Sequence, residues 1–220
     1  MTETNPTFTA EGVFIKHRDQ LNYGPFNLKL AAGQGALAVI KDLDLLRRFM
    51  RSCLGLEQPD AGRLSWAFDR RDRDDPFWGP YDFFRRIGYV DRQIQLIGSL
   101  SLLDNLLLFY QYARRKDGLE RSRAILDSLH LADHEHLRAD ELPEPQRRLG
   151  LYALAFAKEP RLLLIERPGQ FLDRDFDLVW DGILTRASEN GLAFIVFDRT
   201  RTAYAAEQFS DIINVAPGAF

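Results

Sequence analysis

Residues 36–64 read ALAVIKDLDLLRRFMRSCLGLEQPDAGRL. Five apolar residues, 36–40, open the stretch, and a run that short and uniformly apolar predicts a strand buried on both faces. A charged turn, 41–44, follows, and residues 45–54 carry apolar side chains at helical spacing. Gly55 stands where a helix meets its terminating glycine, and residues 62–68 predict another short strand. Strand, turn and helix in immediate succession are the opening unit of a parallel α/β sheet.

Outward from this unit the pattern divides. Upstream, residues 8–15 and 26–30 predict two further strands, with a turn at 33–35. Downstream, residues 69–80 mix Arg and Asp with Pro76, Gly79 and Pro80 and predict a surface loop. Beyond it, 87–90 is a short strand. Residues 100–131 predict two helices broken at 116–118. The last third alternates: helix 146–158, strand 162–165, helix 176–188, strand 192–197, short helix 202–208, strand 211–215. The helical middle predicts an insertion into the parallel sheet.

Composition bounds the rest. The chain has 220 residues with 45% hydrophobic and 28% charged, a globular balance that suits one domain. The single cysteine, Cys53, excludes a disulfide framework and an all-thiolate zinc site. A net charge of −3 argues against nucleic acid as a partner. No apolar run approaches the length of a bilayer span, and residues 1–6 lack a leader pattern. The expectation is a soluble cytoplasmic chain.

Several segments together resemble the ATP-binding cassette (ABC) transporter ATPase domain. They are GLEQPDAGRL at 55–64, RRIGYVDRQIQLIGSLSLLDNLLL at 85–108, ADELPEPQRRLGLYALAFAKEPRLLLIERPGQFLD at 139–173, LAFIVFDRT at 192–200 and FSDIINVAPGAF at 209–220. The resemblance spans residues 8–220 and implies an α/β, P-loop NTPase-like fold. It has a parallel core sheet, an N-terminal antiparallel β subdomain and a helical insertion. It further implies a single domain over 1–220, with 1–90 and 146–220 as core and 91–145 as a helical subdomain.

At the family's functional positions the residues differ from its motifs. The phosphate loop, G-x-x-x-x-G-K-[ST], aligns with Ile40, Lys41, Asp42, Leu43, Asp44, Leu45, Leu46 and Arg47. Leu46 takes the place of the lysine, and Arg47 that of the Mg²⁺-binding hydroxyl. Lys41 is expected to point elsewhere, and Asp44 to cap the helix in place of a phosphate. Glu166 takes the Walker B aspartate position, Arg167 the catalytic glutamate and Asp198 the H-loop histidine. The signature becomes Leu142, Pro143, Glu144, Pro145 and Gln146, which also reads as a proline-initiated helix start. The Q-loop glutamine falls on Arg92, with Gln93 next to it.

These replacements predict a chain that is not an enzyme: a pseudo-ATPase with degenerate catalytic positions, no metal, and neither ATP nor Mg²⁺ as a cofactor. Two ion pairs, Arg47–Glu166 and Arg167–Asp198, are expected in place of ligand and metal. The resemblance implies a structural or regulatory subunit of a membrane transport complex. It would lie in the cytoplasm, peripheral to the inner membrane, and dock an integral permease or an active ABC ATPase subunit. A dimer is compatible with this. Arg92, Gln93, Leu96, Leu100, Leu172 and Asp173 are the candidate partner contacts. Two alternatives stand beside it: an ATP-binding, slowly hydrolysing subunit of an ABC transporter, and a scaffold or sensor outside transport.

Overall fold

A computed structural model of the chain describes residues 6–218 apart from 20, 70–79, 113, 169–173 and 203. Among the described residues, two sheets carry it. β1 (Phe8–Lys16), β2 (Asn22–Leu30) and β4 (Ala61–Trp66) pair antiparallel in the order β2-β1-β4. Their side chains alternate, so Phe8, Ala10, Phe26, Leu28 and Leu30 turn inward to one core.

The second sheet contains β3 (Gly35–Val39), β5 (Ile87–Val90), β6 (Leu162–Glu166), β7 (Ala193–Asp198) and β8 (Asp211–Asn214). Its order is β5-β6-β7-β3-β8 and every pairing is parallel. The central strands β6 and β7 are buried throughout, as their unbroken apolar runs require. Gly35 is needed where β3 starts: a Cβ there would lie 1.9 Å from the Phe194 ring.

Among the described residues the α-helices are α1 (Leu43–Cys53), α2 (Pro80–Phe84), α3 (Leu102–Tyr112), α4 (Gly118–Ser128), α5 (Glu144–Ala157) and α6 (Arg174–Glu189). Gly55, at φ 74°, follows the end of α1 in the left-handed conformation that closes a helix. The α/β class, the parallel core sheet and the antiparallel N-terminal β portion agree with the reading of the sequence. Among the described residues no helix is long and apolar enough to cross a membrane.

Two expectations change. In place of a helix over 202–208, the described residues of that range hold one 3-10 turn, Ala206–Gln208. The ring of Tyr204, packed against Trp180 and Phe209, pins this segment to the core instead. Of the expected loop at 69–80, residues 70–79, with Phe77 and Trp78, lie outside the described residues, and Pro80 already starts α2. Phe83 is fully buried against Trp66, Phe68 and Phe84, so these aromatics pack locally.

Candidate functional site

Parallel strands deliver their C-terminal ends to one edge of the sheet, where ligands of open α/β folds bind. Here β3 runs into residues 40–47, β6 ends at Glu166 and Arg167, and β7 ends at Asp198. Ile40 is buried, and its N–H donates to the Asp198 carbonyl at 2.8 Å. Lys41 is exposed. Asp42 is the helix cap: its Oδ1 accepts the Leu45 N–H at 2.8 Å and its carbonyl the Leu46 N–H at 3.0 Å.

The cap is therefore not Asp44. The helix begins at Leu43, two residues before its expected start, and Asp44 sits in the first turn. There its carboxylate pairs with Arg18 at 2.9 Å, while His17 Nε2 lies 3.6 Å from the Asp42 carboxylate. The turn between β1 and β2 thus brings basic side chains to both acids of the loop. Leu43 is half-buried; Leu45 and Leu46 are buried, with Leu46 at 0% exposure.

Arg47 and Glu166 meet as expected. Arg47 Nε donates to Glu166 Oε1 at 3.3 Å, and the Glu166 side chain is only 2% exposed. A carboxylate this deep needs a partner, because an unpaired buried charge is strongly unfavourable. Arg167 and Asp198 do not pair. Asp198 accepts the Arg199 N–H at 2.6 Å on Oδ1 and the Tyr204 hydroxyl on Oδ2, so its oxygens are supplied from its own following turn. Arg167 takes a positive φ of 47° as the chain leaves β6, and its N–H donates to the Phe197 carbonyl at 2.7 Å. Its buried Nε has no partner among the described residues.

Sequence reasoning missed two participants. One is Tyr204. The other is Arg199, whose Nε donates to the Lys41 carbonyl at 2.7 Å and ties the end of β7 to the turn before α1. The signal for both was their nearness to Asp198 in the chain.

A cavity of about 570 Å³ opens beside this edge. Val90, Arg92, Leu96, Leu151, Tyr152 and Glu166 are in its wall. Burial pushes the Tyr152 hydroxyl above its usual range. Arg92 is exposed, and the Gln93 N–H donates to Asp91 Oδ1 at 2.9 Å. Leu96 is buried, while Leu100 is half-buried and its carbonyl accepts the Ala139 N–H at 2.9 Å.

The signature positions start α5, with Leu142 buried, Pro143 as the cap residue and Pro145 in the first turn. Glu144 accepts from Arg147 and from Arg148, the latter at 2.9 Å, and these guanidinium groups hold its carboxyl below the usual range. Gln146 is half-buried. Leu172 and Asp173 lie outside the described residues.

Comparison with known proteins places this arrangement. No protein-family profile matches the chain. The phosphonates import ATP-binding protein PhnC of Nitratidesulfovibrio vulgaris is 33% identical over 99 residues, covering 40% of this chain and 37% of that protein. PhnC of Bordetella parapertussis is 35% identical over 123 residues, covering 51% and 48%. The match thus spans less than half the length of these relatives. The cytochrome c biogenesis ATP-binding export protein CcmA of Pseudomonas aeruginosa is 28% identical over 147 residues, 67% of this chain and 70% of that one.

Among solved structures, an ATP-binding subunit of an ABC transporter superposes with a TM-score of 0.74 at 18% identity, covering 94% of this chain and 85% of that one. The cbiO1 protein of Clostridium perfringens, part of the ABC transporter complex cbiONQ, superposes at 0.72 and 15% identity, covering 89% and 79%. The chain has the fold of an ABC transporter ATPase domain.

These relatives correct one expectation. A chain that is not an enzyme was read from the replaced motif residues, yet the matched relatives are named as ATP-binding import and export proteins. Replaced side chains alone do not decide the activity of an ABC fold.

The ligand implied by the ABC fold is ATP with a divalent cation, and the two fare differently against the residues present. The metal does not fit. Its position in the resembled family falls between Arg47 and Glu166, and here a guanidinium already takes the Glu166 carboxylate. Hard cations require several oxygen ligands, and Arg47 and Leu46 offer none. For phosphates the charge at this edge is mixed: Arg47 and Arg199 stand at the turn into α1, together with Asp42, Asp44 and Asp198.

Proposed function

We propose that the chain is an ATP-binding subunit of a membrane transport assembly. The carrying observation is that relatives from two different transport systems, phosphonate import and cytochrome c biogenesis, share the designation ATP-binding protein. The C-terminal edge of the parallel sheet supports it, since the guanidinium groups of Arg47 and Arg199 stand at the turn into α1 and can supply charge for phosphates. Leu46 supplies none, so the phosphates rely on arginines and not on a loop lysine.

The cavity between residues 90–98 and the start of α5 has an apolar floor and a charged rim. We assign it to a helix of an integral membrane permease, with residues 91–145 acting as the helical unit that frames it. Docking there would hold the chain against the cytoplasmic face of the inner membrane. Arg92 and Leu96, both in the cavity wall, are the contacts this reading places at the permease.

Thermal unfolding with and without ATP tests the nucleotide reading. A ligand at 100 times its Kd stabilises the folded state by about 2.7 kcal/mol. A rise in Tm with ATP is expected; an unchanged Tm with ATP and with ADP at millimolar concentration overturns the reading. Co-purification with a multispan permease tests the partner.

A further inference from the structure

The ion pair at the sheet edge has a consequence for how phosphates are neutralised. Glu166 is the carboxylate a divalent cation would need, and at 2% exposure it is held by Arg47 Nε at 3.3 Å. The Arg47 side chain is 36% exposed, so it reaches from the buried carboxylate to solvent at the sheet edge. Nε is used on Glu166, and both Nη groups remain without a partner among the described residues. A guanidinium so placed can turn two N–H groups toward phosphate oxygens while keeping its carboxylate.

The surrounding charges permit this. Asp44 pairs with Arg18, His17 Nε2 lies 3.6 Å from Asp42, and the Asp198 oxygens accept from the Arg199 N–H and the Tyr204 hydroxyl. Arg199 is anchored to the Lys41 carbonyl on the other side of the turn. A divalent cation entering between Arg47 and Glu166 would meet a like charge and one carboxylate already engaged, against the six oxygens that Mg²⁺ demands.

We propose that the Arg47 guanidinium takes the role of the divalent cation, so that this sheet edge binds nucleotide phosphates without metal. The proposal rests on the ATP-binding reading and adds to it the identity of the counter-charge.

Calorimetric titration of the full chain with ATP, once in EDTA and once in Mg²⁺, separates the two. Affinity in EDTA within about threefold of that in Mg²⁺ is expected; loss of a charge-assisted bond would exceed that. Binding only in Mg²⁺ overturns the metal-free proposal and leaves the ATP-binding reading intact. No binding in either buffer overturns both.

Arg47→Ala should weaken binding in EDTA about ten- to hundredfold. Because it strands a buried carboxylate, the double variant Arg47→Met with Glu166→Met is the folded control, since it removes both charges. Its binding in EDTA should be weakened as far; wild-type affinity in a folded double variant overturns the proposal. Arg47→Ser returns an oxygen ligand beside Glu166 and should make ATP binding respond to Mn²⁺, to which the wild type is indifferent. A wild type whose ATP affinity rises at least tenfold with Mn²⁺ overturns it as well.

Discussion

At residue 42 one side chain decides where a helix starts. Asp42 Oδ1 accepts the Leu45 N–H and satisfies a donor that the helix leaves open. Asp44, two positions later, makes a surface pair with Arg18. Replacing Asp42 by Ala should therefore destabilise by about 1 kcal/mol. Asp44→Ala should stay within about 0.5 kcal/mol. Urea unfolding of the two variants checks the assignment, and equal losses would refute it.

Leu46 behaves as a core residue in the same helix. Its truncation to Ala should lose roughly 2–5 kcal/mol, where a phosphate-facing side chain would lose little in the absence of ligand. The replacement of lysine at this position was legible in the sequence. The correct cap was not, because two aspartates flank Leu43 and either could have accepted the bond.

Elements were legible to the degree that burial wrote them. β6 and β7 are unbroken apolar runs, and their positions and parallel pairing agree with the pattern. Tyr204 lay beyond that method. It acts through contacts with Asp198, Trp180 and Phe209, and no period in residues 202–208 announces them. The Arg167–Asp198 pair failed for a related reason: backbone and hydroxyl donors from residues 199 and 204 reach the carboxylate first.

The link between α3 and α4 carries a network of the same through-space kind. Arg115 bonds Asp117 and Glu159, each at 2.7 Å, and Arg121 bonds the same two carboxylates. Glu159 follows α5, so the network ties the α3–α4 link to the end of α5.

The guanidinium groups of Arg115 and Arg121 hold the Asp117 carboxyl down at about 2, below its usual 3.8. A folded-state value below the unfolded one stabilises above the unfolded value and is lost as pH falls through the folded one. Between wild type and Asp117→Asn, the Tm difference should therefore be full above about pH 4 and shrink toward pH 2. A difference that stays constant across that range would count against the network.

On the scale of the whole chain, alternate residues of the parallel sheet feed two different cores. Leu163, Ile165, Phe194 and Val196 join the cluster around Leu102, Leu106 and Tyr152. Leu162, Leu164, Ile195 and Phe197 join the cluster around Phe26, Phe49 and Leu46. Successive side chains of a strand point to opposite faces, so neither cluster can lose its order without disturbing the strands that serve the other. The chain should thus unfold in a single transition, although its helices α3 to α5 and its antiparallel sheet lie in different clusters.

Two probes can follow that transition: far-UV circular dichroism and tryptophan fluorescence, with Trp66 packed against one cluster and Trp180 inside the other. Leu106→Ala and Phe49→Ala, one in each cluster, should each destabilise by roughly 2–5 kcal/mol. Both should move the one midpoint by both probes together. If Leu106→Ala shifted only part of the signal and left a second transition in place, the helical cluster would be an independent unit.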